Sequence, residues 1–140
     1  FGAEAAVPYD HDDLLEAVRS HTPDGFDVVF DHRAFDYFSL DIEATAFDGN
    51  VVLYGGIEGE VSLPRAAMVN NCTVHAMTMS NLSTRPELPS VASVLRRVLE
   101  LTERGELTPE IARTYDLEEA SDVHRAMMED SFVGKLVVEP

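Results

Sequence analysis

Residues 25–56, GFDVVFDHRAFDYFSLDIEATAFDGNVVLYGG, decide the fold. Residues 26–30 (FDVVF) are a short run of β-branched and aromatic side chains closed by Asp31-His32-Arg33, which predicts a strand. From 36 to 47 the apolar residues Phe38, Ile42 and Phe47 fall on one inward helical face. Asp48-Gly49-Asn50 turns the chain, and 51–54 (VVLY) reads as a second buried strand that stops at Gly55-Gly56. Strand, helix and strand in this order predict a parallel pair with a right-handed crossover. In such sheets ligands bind outside the carboxyl ends of the strands, where a glycine lets a ligand approach the backbone. A tight turn needing positive φ would call for the same glycines.

The pattern continues in both directions. Upstream, 5–9 (AAVPY) predicts a short strand that Pro8 confines to an edge or an end. Asp10 reads as the cap of a helix whose stripe is Leu14, Leu15 and Val18, closed by Pro23-Asp24-Gly25. Downstream, Ser62 and Pro64 start a short helix over 63–70, and 73–79 (TVHAMTM) predicts another strand. The longest helix spans 88–104 and stops at Gly105. Residues 111–115 predict a strand, Asp116 and Glu119 a capping box before a helix through Met128, and 134–139 (GKLVVE) a final strand. Six strands interleave with five helices.

At 140 residues and 45% hydrophobic content, a single folded domain is the expectation. No apolar run approaches a membrane span, and FGAEAAVPYD lacks the basic start and apolar core of a signal peptide, which predicts a cytoplasmic location. Cys72 is the single cysteine, so neither an internal disulfide nor a multi-cysteine zinc site can form. There are 26 acidic residues against 10 basic ones, a net charge of -16, and Lys135 is the single lysine. Nucleic-acid binding needs clustered Lys and Arg, and the nearest approach to a cluster is Arg96-Arg97.

The succession FGAEAAVPYD, GFDVVFDH, DGNVVLYGG, CTVHAMTMS, LTERGELTPEIARTYDLEEASDVHRAMMED and VGKLVVEP resembles the medium-chain dehydrogenase/reductase superfamily, and within it the quinone oxidoreductase branch, commonly labelled zinc-binding dehydrogenase even where zinc is absent. The resemblance covers essentially the whole chain, and its most specific piece is the terminal block. It implies an α/β fold: a partial Rossmann-type, mostly parallel sheet with helices on both faces. Residues 1–140 would be the C-terminal segment of a dinucleotide-binding domain, with 106–140 resembling the return into the catalytic domain. The catalytic domain and the first two strands, which precede this segment in relatives, are not in the sequence, nor is the G-x-G-x-x-G phosphate loop. Gly55-Gly56-x-x-Gly59 has a different spacing.

The resemblance further implies hydride transfer between NAD or NADP and a quinone or carbonyl, with this chain alone inactive. By position, Tyr54, Gly55 and Gly56 match the loop beside the nicotinamide-side ribose. Asp31 and His32 match the loop near the adenosine half, although Ala34 and Phe35 stand where relatives carry paired glycines. Thr78, Met79 and Ser80 match a loop near the carboxamide, and Lys135 after Gly134 matches a terminal turn close to the cofactor. Each has a purely structural reading as well: Tyr54 capping the sheet, Ser80 capping a turn, Lys135 as a solvated charge. Without the phosphate loop and its helix N-terminus, binding is expected to be weak. In relatives the strand matching 73–79 pairs across a homodimer, so a non-enzymatic dimerisation module is the competing reading. An unrelated flavodoxin-type domain is a third.

No catalytic residue and no metal ligand is expected in this chain. His11, His21, His32, His75 and His124 stand on different elements without zinc-binding spacing, and no G-x-S-x-G occurs. Asp31 and His32, adjacent on an extended chain, point to opposite faces and make a poor dyad. The acidic, lysine-poor composition points to salt adaptation, since self-repulsion is relieved as the Debye length shrinks from about 10 Å at 0.1 M to about 3 Å at 1 M. The melting temperature is therefore expected to rise with KCl up to molar concentration; a flat response in a thermal scan would contradict this.

Overall fold

The computed structural model describes residues 2–55 and 59–140. The described chain forms two compact units, 2–88 and 89–140.

The first unit is built on the crossover expected from 25–56. Strand β1 (Phe26–Asp31) leads into helix α2 (Ala34–Ala44), which returns the chain to β2 (Thr45–Tyr54) parallel to β1. Helix α1 (Leu14–Arg19) precedes this unit; α3 (Ala66–Val69), β3 (Thr73–Met77) and α4 (Asn81–Thr84) follow it. The sheet order is β1-β2-β3, all parallel. Phe38 and Ile42, one helical turn apart, bring α2 down on the sheet, where they meet Val51, Leu53, Ala34 and Ala67. Ile42 and Val51 are fully buried.

Local chemistry sets the ends of α2. The helix starts and stops earlier than the apolar pattern suggests, because Thr45 terminates it. The Thr45 hydroxyl donates to the Asp41 carbonyl at 2.6 Å while its own backbone turns extended. Asn70 secures the same end, its Nδ2 donating to the carbonyls of Ile42 (3.1 Å) and Thr45 (2.9 Å). Phe47 therefore leaves the predicted inward face and is 70% exposed. The turn at Asp48-Gly49-Asn50 survives as an irregularity inside β2: Phe26 to Val28 on β1 pairs with Thr45 to Asn50 on β2, and Asp48 has φ 60°.

Residues 5–9 are not a strand. Pro8 lacks a donor, and the segment borders a cleft beside β1 instead of pairing with that edge strand. The cap of α1 is Asp13, which accepts from the Glu16 backbone N–H at 2.9 Å, and not Asp10. The predicted strand 73–79 stops at Met77, and α4 takes up the next residues.

In the second unit, α5 (Val91–Glu103) starts at Ser90, whose Oγ accepts from the Ser93 N–H, and ends before Gly105. Strand β4 (Ile111–Asp116) pairs in parallel with β5 (Lys135–Glu139) across helix α6 (Ala120–Glu129). The capping box is present: Asp116 and Glu119 cap each other's turn, the Asp116 N–H reaching Glu119 Oε2 at 2.9 Å. Val123 and Ala126 are the buried residues of α6, whereas α5 buries none of its own. The five strands thus form a three-stranded and a two-stranded sheet rather than the predicted run of six.

Gly25 is the tightest backbone position in the crossover. Its φ is +90°, and a Cβ there would lie 2.6 Å from the Ala46 nitrogen. Gly25→Ala is expected to destabilise the protein by about 2–4 kcal/mol in chemical denaturation, combining backbone strain with a clash. Gly55→Ala, with φ +95° but no atom of the described residues within 4 Å of the added Cβ, should cost about 1 kcal/mol.

Candidate functional site

Because β1, β2 and β3 are parallel, their carboxyl ends open on one edge of the sheet. Asp31 pairs with Leu53, Leu53 with Ala76 and Tyr54 with Met77. This register places Asp31-His32, Tyr54-Gly55 and Thr78-Met79-Ser80 in three neighbouring loops. The predicted cluster is therefore assembled from residues far apart in sequence.

Aromatic rings form its exposed surface. The Tyr54 ring lies 6.3 Å from Phe30, edge on, and 6.0 Å from His32. Phe30 is 68% exposed, although it belongs to a strand. At Gly55 the φ is positive, and no atom of the described residues lies within 4 Å of where a side chain would stand. Thr78 and Ser80 share a hydroxyl hydrogen bond of 3.1 Å, and Met79 is exposed. Gly56 lies outside the described residues. Lys135 belongs to the second unit, at the start of β5, where its N–H donates to the Glu110 carbonyl at 2.8 Å.

Where paired glycines were expected after His32, Ala34 is fully buried in the core and Phe35 is exposed. The first substitution thus faces the core. The following turn is stabilised by Arg33, which pairs with Asp36 at 2.6 Å and lies over the rings of Tyr37 and Tyr9.

Asp31 behaves differently from its neighbours in the loop. It is buried, and its Oδ1 accepts the Arg33 backbone N–H at 2.6 Å, which shapes the turn from β1 into α2. Its other oxygen has no partner, nor does Oδ2 of Asp41, buried on α2. Both residues line a cleft of about 810 Å³ between β1, α1, α2 and the segment around Val7. Burial, then the hydrogen bond and the charge of Asp31, push the Asp41 carboxyl up to about 7. Sequence reasoning missed Asp41. The signal was an acidic residue three positions after Phe38 and one before Ile42, on the face that those residues turn inward.

Among the described residues, no three or more His, Cys, Asp or Glu side chains are grouped to hold a metal ion. His75 and His124 are exposed on separate units. The residues present do not fit a zinc site. No described helix is long and apolar enough to cross a membrane.

The profile of the zinc-binding dehydrogenase family matches residues 1–138. The chain belongs to this family. Among the chain's relatives is quinone oxidoreductase-like protein 2 of Bos taurus, 26% identical over 139 residues; the match takes in 98% of this chain but 40% of that protein. A solved NAD-dependent alcohol dehydrogenase superposes with a TM-score of 0.79 at 31% identity, covering 99% of this chain and 38% of that one. A quinone oxidoreductase from Pseudomonas syringae shares the fold with a TM-score of 0.76 at 21% identity. The chain thus spans about two fifths of the length of these relatives, and its α/β architecture of parallel strands is that of their nucleotide-binding part.

The carboxyl pair makes folding depend on pH. Asp41 keeps its proton to about pH 7 when folded, against an ordinary value of 3.8. Between those values the unfolded chain ionises while the folded one does not, so stability is highest below the lower value. It falls by up to ~1.4 kcal/mol per pH unit as pH rises through the window. In denaturation at fixed salt from pH 4 to 8, Asp41→Asn is expected to remove this decline relative to wild type and to be the more stable protein at pH 8.

Proposed function

We propose that this chain is the C-terminal nucleotide-binding segment of an NAD(P)H-dependent oxidoreductase that passes hydride between nicotinamide and a quinone or carbonyl. The observation that carries this reading is the convergence of three strand-end loops around an open Gly55 backbone. Tyr54 and Gly55 would border the ribose on the nicotinamide side, His32 the adenosine half, and Thr78, Met79 and Ser80 the carboxamide. Gly56 and Lys135 belong to the same proposal by position. Its similarity to an NAD-dependent alcohol dehydrogenase and to a quinone oxidoreductase-like protein supports the reaction class.

The segment by itself is proposed to turn nothing over. It has no G-x-G-x-x-G loop to donate to a pyrophosphate, and its net charge of -16 opposes an anionic cofactor at low salt. Residues 106–140 would lead back towards a catalytic domain. A second reading, a homodimerisation module, is favoured by β3: it is an edge strand, and all five of its residues are exposed.

Titration of NADH and NADPH at molar KCl, followed by nicotinamide fluorescence, tests the cofactor role. The expected result is saturable binding with a Kd of about 1 mM, or about -4 kcal/mol, further weakened by Tyr54→Ala. No saturation with either nucleotide, together with a stable dimer by light scattering, would replace this reading with the module.

A further inference from the structure

Asp31 and Asp41 are 8% and 6% exposed, one at the end of β1 and the other on α2. Each carries an oxygen with no partner. Two carboxylates buried side by side repel and lack water, so such a pair is stable when one shared proton bridges it. Asp31 is also the acceptor that holds the Arg33 N–H and with it the turn carrying His32. Whatever moves the Asp31 carboxylate therefore moves one wall of the proposed nucleotide site.

Among the described residues bordering the cleft, no Lys or Arg is present to replace the proton. The cleft is bordered by Glu4 and Tyr9 from the N-terminal segment, by His21 from the turn after α1, and by Tyr37 from α2. The Arg33 guanidinium is engaged by Asp36 and by two tyrosine rings. On the far side of Asp41, Thr45 contributes a neutral hydroxyl already donated to the Asp41 carbonyl.

We propose that Asp41 is a positioning residue for the nucleotide site: the one-proton pair it forms with Asp31 holds the β1–α2 turn in its binding shape, and full ionisation releases that turn. The inference rests on the nucleotide-binding reading above and adds its regulation. Losing the shared proton leaves two negative carboxylates in contact. Asp31 then swings towards the open cleft, the Arg33 N–H loses its acceptor, and His32 shifts. An asparagine at 41 would donate permanently to Asp31, locking the turn at every pH.

The test uses the whole chain at molar KCl with ¹³C-carboxyl-labelled aspartate, titrated from pH 5 to 9. One carboxyl is expected to titrate near neutrality in wild type and to be missing in Asp41→Asn, with the Arg33 amide resonance following the same curve. NADH affinity, read by fluorescence, should fall on the order of fivefold over that interval in wild type, the lower end of linked-site coupling, and stay flat in Asp41→Asn. His21→Gln, which removes the imidazole bordering the cleft, should keep the wild-type profile. An Arg33 amide that ignores the carboxyl titration overturns the proposal even if Asp41→Asn fails to fold. An unchanged pH profile in a folded Asp41→Asn overturns the positioning role alone, whereas no NADH binding at any pH overturns the nucleotide site and this role with it.

Discussion

The structure depends on one constraint: β1 and β2 are parallel and cannot be joined by a hairpin. The chain must travel back along the sheet, and α2 does this while burying Phe38 and Ile42 against Val51 and Leu53. Once that crossover is made, β1 and β2 end on the same edge, and β3 joins them in the same direction. The convergence of Asp31-His32, Tyr54-Gly55 and Thr78-Met79-Ser80 is a consequence of strand direction, not a separate feature. Gly25 and Asn70 serve the same crossover, one letting the chain pass under Ala46 and the other holding the end of α2.

The chain is acidic almost everywhere, yet among the described residues only Asp31 and Asp41 are acids buried away from water. Surface carboxylates such as Asp36 and Asp130 pair with arginines in half-exposed positions, where ion pairs contribute little. Asp31 and Asp41 instead face each other out of water. Burial pushes the Asp41 carboxyl up to about 7, and the Arg33 backbone N–H holds its neighbour Asp31 to the turn at the end of β1.

Much of this was legible from pattern alone. The strands at β1, β4 and β5 were readable from short β-branched runs, and the capping box at Asp116 from spacing, since both signals are local. The family was readable too, from blocks spread along the whole chain. Residues 5–9 misled because β-propensity does not supply a neighbour, and Phe47 because a helical stripe does not announce the threonine that ends it. The grouping of the three loops followed once the strands were known to be parallel. The inward turn of Asp31 did not, because burial along β1 does not alternate strictly from residue to residue.

The sequence by itself determined the crossover, the polarity of the strands it links, the glycine that opens the backbone after Tyr54, and the family to which these belong. These are written in residue types at short range. Tertiary structure alone decided that Asp31 and Asp41, ten positions apart, would meet, and that the strands would divide between two sheets. Which acids lose their water depends on what packs over them, and packing is a property of distant residues brought together.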